Sequence, residues 1–238
     1  MSIISVKNVS KSFGKHSVLN NISLNVDKGE ILCLIGPSGA GKTTLVKSIM
    51  GMEKIDSGEI LVLDTKIPNR QILQKIGYMG QSDGLYEDLS ARDNLKFFCN
   101  LFSVSKNSIN KRIEYAANLV DLSKDLKKKT RDFSGGMKRR LSLAISLIQD
   151  PDLLILDEPT VGIDPMLRIN IWKELYNLKN SGKTIIVTTH VMDEAEKCDK
   201  LALLRDGKIT AQGKPKELKE KFNSETIEEI FLKAGSEK

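Results

Sequence analysis

The sequence predicts an α/β protein: a mainly parallel sheet around a phosphate loop, an antiparallel β layer at the N-terminus and a helical insertion in the middle of the chain. Three observations carry that reading. A buried-type strand, Glu30 to Ile35, runs into the glycine-rich GPSGAGKT of Gly36 to Thr43 and out into a helix-like segment. A second apolar run, Leu153 to Leu156, ends in two adjacent acids, and over residues 90–129 the apolar period becomes helical.

Residues 2–30 alternate apolar and polar in short segments broken at Gly14, Asn20 and Asp27 to Gly29, the pattern of an antiparallel layer. The strand EILCLI then enters Gly36, Pro37, Ser38, Gly39, Ala40, Gly41, Lys42 and Thr43, which match G-x-x-x-x-G-K-[ST]. Lys42 to Met50 continues as a helix closed by Gly51. The glycines let backbone amides turn inward on phosphate oxygens. Lys42 is placed to reach the terminal phosphate and the Thr43 hydroxyl to hold magnesium, with Thr44 as a further phosphate contact.

A helical subdomain is expected over about residues 82–145 of a single domain spanning 1–238. Ser90 with Asp93 reads as a capping box; Leu95, Phe98 and Phe102 recur at helical spacing, and Ile109, Ile113, Ala116 and Val120 form a second stripe. In LLILDEP, Leu153 to Pro159, the acids stand at the carboxyl end of a strand, where open α/β sheets bind ligands. Neighbouring strand residues point to opposite faces, so the two divide the work: Asp157 to a magnesium shell, Glu158 to the water that attacks the γ-phosphate. The plainer alternative is a pair of helix-capping charges. Asp164 and Pro165 open a helix with the stripe Leu167, Ile171, Leu175 and Leu178, in which Trp172 packs. Thr184 to Thr189 is a further strand, LALLRDGKITAQG a hairpin turning at Asp206 and Gly207, and the tail from Lys214 short helices.

Phe133 to Leu141, FSGGMKRRL, breaks helix rules. Two glycines follow Ser134, the expected N-cap, and three cations, Lys138, Arg139 and Arg140, stand just inside, where they oppose the helix dipole. Such a violation marks a functional site. Bare amides, a cap hydroxyl and positive field make an anion receptor at Ser134, Gly135 and Gly136; the alternative is a glycine-rich loop with a solvated basic face.

Together these residues resemble the nucleotide-binding domain of ATP-binding cassette (ABC) transporters, over nearly the whole chain. GPSGAGKT looks like Walker A, LLILDEP like Walker B and FSGGM like the signature usually written LSGGQ. Gln81, in YMGQSDGLYEDL, is similar to the Q-loop glutamine, which in the family contacts magnesium and the attacking water and senses the membrane partner. Val161 to Asp164 resembles the D-loop, His190 the switch histidine at the γ-phosphate, and Phe13 the aromatic that stacks on adenine, although Phe13 also suits a core position at a strand end. The resemblance implies an ATPase using ATP and magnesium. It also implies head-to-tail pairing with a second ATPase subunit, the signature of one closing on the ATP of the other, and a separate transmembrane permease. Location at the cytoplasmic face of the membrane, held by that permease, follows from the same resemblance.

Two departures qualify the match. Met137 stands where the family has glutamine and Phe133 where it has leucine, so position 137 packs instead of hydrogen-bonding, while the phosphate-binding Ser134, Gly135 and Gly136 remain. The GMKRR form resembles the branch of drug and antibiotic exporters with separate membrane subunits. In GLYEDL, Leu85, Tyr86 and Leu89 form either a socket for a helix of the membrane partner or packing beneath the helical lobe.

Composition narrows the rest. The 238 residues are 40% hydrophobic, enough for a real core, and hold no apolar run near the ~20 residues that cross a bilayer. The alternating N-terminus does not read as a signal peptide. The net charge of +6 is interspersed, and no nucleic-acid partner is expected. Cys33, Cys99 and Cys198 are widely spaced and suit a reducing compartment, Cys33 and Cys99 as inert core, while His16 is solvated. A single-cassette soluble ATPase serving iron–sulfur assembly or nucleic acid is the competing reading; a GTPase or kinase would leave FSGG unexplained.

Overall fold

The computed structural model describes residues 2–234. In chain order these form β1 (Ser2–Phe13), β2 (His16–Asp27), β3 (Ile31–Ile35), α1 (Lys42–Ile49), β4 (Ser57–Val62), β5 (Thr65–Lys66) and β6 (Ile76–Met79). The middle of the chain gives α2 (Ala91–Leu101), α3 (Ile109–Leu119), α4 (Gly135–Ser146), β7 (Leu153–Asp157) and α5 (Pro165–Asn180). β8 (Thr184–Thr189), α6 (Met192–Ala195), β9 (Lys200–Arg205), β10 (Lys208–Gly213), α7 (Pro215–Lys221) and α8 (Ile227–Ala234) follow. The chain divides into two compact units: the segment up to Leu73 together with that from Thr184 onward, and Gln74–Lys183.

The first unit holds two sheets. β1 pairs antiparallel with β2 and with β4, whose other neighbour is β5, which is the expected N-terminal layer. In the second sheet β3 lies between β8 and β9, parallel to both, so Cys33 stands opposite Val187 on one side and Leu201 on the other. β10 adds antiparallel to β9 through the expected turn at Asp206 and Gly207, both at positive φ (48° and 72°). All residues of β3 and β8 are buried, which is why both read as unbroken apolar or threonine runs without a polar face.

One boundary differs from the sequence reading. Asn20 does not break a strand; β2 runs through it. The Asn20 N–H donates to the Gly207 carbonyl at 2.7 Å, so the position finds its partner in the β9–β10 turn, and Asn21 absorbs the irregularity at φ 54°.

In the second unit β6 and β7 are parallel, with Ile76 opposite Leu153. Ser90 caps α2 as expected: its hydroxyl accepts from the Asp93 N–H at 3.1 Å and donates to the Asp93 carboxylate at 2.6 Å. The stripe Ile109, Ile113, Ala116 and Val120 is buried, as are Leu167, Ile171, Trp172 and Leu175 on α5. Phe98 and Phe102, by contrast, are only half-buried.

All three cysteines are buried. Burial first, and the neighbouring Cys198 second, push the Cys33 thiol well above its ordinary range, and burial raises Cys99. The thiolate is the nucleophile, so the folded chain should take up essentially no iodoacetamide at neutral pH and three equivalents once unfolded, as read by intact mass. Rapid labelling of Cys33 in the native chain, located by peptide mass, would show that the β3 core opens.

Candidate functional site

The phosphate loop connects β3 to α1, with Gly36 buried at its start and Pro37, Ser38 and Gly39 exposed at its crown. Two of its glycines are required by close approach. A Cβ at Gly36 would stand 2.3 Å from the Leu204 carbonyl of β9, and one at Gly41 would stand 2.8 Å from the Val18 carbonyl of β2. Gly41 also holds φ 105°, a conformation L side chains rarely adopt. Strands β2 and β9 thus fix the loop's shape from within. α1 starts at once, with no side chain capping it at Gly41 and no acid in its first turn, so its dipole faces the loop unopposed.

Lys42, 7% exposed, folds its ammonium back over the loop and donates to the carbonyls of Gly36 (2.7 Å) and Pro37 (3.1 Å). Thr43 and Thr44 follow, half-buried in the first helical turn, and Ala40 is buried. Phe13 ends β1 with 49% of its surface exposed and the Lys11 ammonium 4.8 Å from its ring centre, so it is not a core residue. His190, exposed, directly follows β8; beside it the Thr189 hydroxyl donates to buried Glu194 at 2.8 Å and accepts from the Val191 N–H at 3.0 Å.

The other sequence-marked groups lie in the second unit. Asp157 ends β7 fully buried. Glu158 is half-buried and holds φ 54°, so the chain turns sharply between the two acids. Their different settings come from burial and this turn more than from strand alternation. Gln81 is exposed beyond the end of β6.

Ser134 caps α4, accepting from the Met137 N–H at 3.3 Å, and Gly135 opens the helix. No atom lies within 4 Å of a Cβ built at Gly135, so internal packing does not demand glycine there, whereas at Gly136 the Gly162 carbonyl would stand 3.2 Å away.

The three cations behind this cap do not act as one cluster. Lys138 pairs with Glu87; Arg140 donates to the carbonyls of Val120 (3.2 Å) and Asp121 (3.0 Å). Arg139 donates to the carbonyls of Gly80, Gln81, Asp157 and Glu158. Successive helix residues point about 100° apart, so three adjacent cations reach three different partners.

Of the three apolar residues in the Gly84 to Leu89 loop, Leu85 and Leu89 are half-buried and Tyr86 is exposed, at 48%. Its ring stacks edge-on with Phe97 at 4.7 Å, and Phe97 with Phe98 at 5.3 Å. Phe97, which the sequence reading did not single out, is 38% exposed and lies one position off the apolar stripe of α2.

Among the described residues no helix is long and apolar enough to cross a membrane, and no group of three His, Cys, Asp or Glu side chains could by itself hold a metal ion.

A family model described as ABC transporter matches residues 19–161. The ABC transporter G family member 20 of Dictyostelium discoideum is 43% identical over 97% of this chain, which spans 32% of that relative. The Nod factor export ATP-binding protein I of Cupriavidus metallidurans is 41% identical over 91% of the chain and 73% of its own length. Among solved structures, an ATP-binding subunit of an ABC transporter superposes with a TM-score of 0.92 at 26% identity, covering 98% of this chain and 100% of that one. A dimeric ATP-binding cassette in a post-hydrolysis state, bound to ADP and Pi, gives 0.82 at 27% identity, covering 89% of this chain and 98% of that one.

Proposed function

The chain belongs to the ABC transporter family, and from that premise we propose that it is the ATP-hydrolysing subunit of an exporter whose membrane-spanning subunit is a separate chain. The observation that carries the ATPase reading is the phosphate loop, with buried Lys42 folded over it and an unopposed helix N-terminus behind it. The export reading rests on the relatives named for Nod factor export, which also favour transport over a soluble iron–sulfur or nucleic-acid role.

In this reading the loop amides and Lys42 take the phosphates of ATP, Thr44 adds a phosphate contact, and the exposed Phe13 ring stacks on adenine. Magnesium would be held by the Thr43 hydroxyl, the Asp157 carboxylate and the Gln81 amide. These are hard oxygen donors, and the ion characteristically takes few protein ligands besides the substrate's phosphates. Bound there, it neutralises charge on the phosphates. Glu158 accepts a proton from the attacking water, Gln81 orients that water, and His190 donates to the γ-phosphate. Ser134, Gly135 and Gly136 receive the γ-phosphate of ATP held by a second subunit, consistent with the open space at Gly135. ATP then joins two subunits and hydrolysis releases them. Dimeric cassettes among the structural relatives support that cycle.

The exposed rings of Tyr86 and Phe97 are the apolar surface we assign to the permease helix, which would hold the chain at the cytoplasmic face of the membrane.

Ser134→Arg tests the assembly. Arginine at the cap puts bulk and charge where the second subunit's phosphate would dock, so ATP affinity in calorimetry should stay within about twofold while hydrolysis is lost. Full turnover in this variant would reduce FSGG to a capped loop.

A further inference from the structure

The Arg139 side chain is 11% exposed, and its guanidinium is committed to two segments of the second unit at once. One nitrogen donates to the carbonyls of Gly80 (2.6 Å) and Gln81 (3.3 Å), beyond β6; the other donates to those of Asp157 and Glu158 (2.9 Å), at the end of β7. The Asp83 carboxylate lies 3.7 Å from the first. All four carbonyls flank or belong to residues assigned to the reaction, and none lies in the interior of β6 or β7. Arg139 itself sits one turn into α4, the helix that Ser134 caps.

We propose that Arg139 is a positioning residue that couples the Gln81 loop to the catalytic strand end, so that a displacement of one is imposed on the other; this rests on the role of Glu158 given above. The planar fork makes the coupling possible. Two nitrogens at fixed separation can each serve a different segment, whereas an ammonium is a single point and would release one of them. The bond to the Glu158 carbonyl matters most, because Glu158 stands at φ 54°, a backbone state that persists only where its surroundings enforce it. If the Gln81 loop answers to a membrane partner, Arg139 carries that answer to the base within one lobe and without moving a strand.

Arg139→Lys is the decisive variant. ATP affinity by calorimetry and KM should stay within about twofold, and kcat should fall by about 10- to 100-fold, the scale of a displacement near 1 Å at a reacting group. Combined with Glu158→Gln, the change should add less than about threefold, since there is no longer a base to place. Asp83→Asn, which keeps the guanidinium and removes its carboxylate neighbour, should lower kcat by about threefold with affinity unchanged, and it stands in if the lysine variant does not fold. A wild-type kcat in Arg139→Lys would overturn the proposal. So would an equal loss on top of Glu158→Gln, the mark of a merely structural contact. If Glu158→Gln alone leaves kcat unchanged, the catalytic assignment falls and the coupling with it, a pattern distinct from either of the others.

Discussion

Glu158→Gln should keep ATP and lose its hydrolysis, with kcat lower by about 10²- to 10⁴-fold, the range a general base supplies. The substitution preserves length and hydrogen bonding and removes only the carboxylate that deprotonates water. It also leaves the local backbone intact, since Arg139 holds the Glu158 carbonyl and not its side chain. Buried Asp157 is untouched, so magnesium and nucleotide should bind as before. Uncleaved ATP would then persist between two subunits. Size-exclusion chromatography with light scattering should show a dimer with ATP and magnesium and a monomer with ADP. A variant that stays monomeric in ATP would undercut nucleotide-driven pairing; one that hydrolyses at the wild-type rate would remove Glu158 from the chemistry.

What could be read from the sequence was whatever depends on spacing along one element. The phosphate loop announced itself by a fixed spacing between a buried strand and a helix, and the structure explains its two rigid glycines: β9 leaves no room for a side chain at Gly36, and β2 leaves none at Gly41. The caps at Ser90, Ser134 and Asp164 were equally local, and each accepts from the N–H three residues on. Direction was not legible. Lys138, Arg139 and Arg140 read as one positive patch because a sequence lists them side by side, yet the helix sends them to Glu87, to four carbonyls and to the end of α3. The turn at Glu158 was hidden for a related reason: nothing in LLILDEP marks a non-glycine residue for positive φ, since only tertiary contacts hold it there. Phe97 was passed over because it sits off the apolar stripe, and an exposed aromatic beside a stripe has no periodic signal of its own.

Lys42→Ala should remove measurable ATP binding. The ammonium is nearly buried and donates to the carbonyls of Gly36 and Pro37. Those neutral acceptors are weaker partners than phosphate oxygens, so exchanging them for the terminal phosphate is favourable, and the buried setting strengthens each charged bond. Losing two charge-assisted bonds at about 1.5–3 kcal/mol each weakens binding by roughly 10²- to 10⁴-fold. The variant also frees two loop carbonyls, but Pro37 is exposed and water can serve them, so the melting temperature without nucleotide should fall only slightly. Calorimetric titration with ATP is the measurement, and thermal melting of the same sample shows whether the fold is kept. Unchanged affinity in a folded variant would show that Gly36 to Thr43 is a tight turn and not a phosphate site.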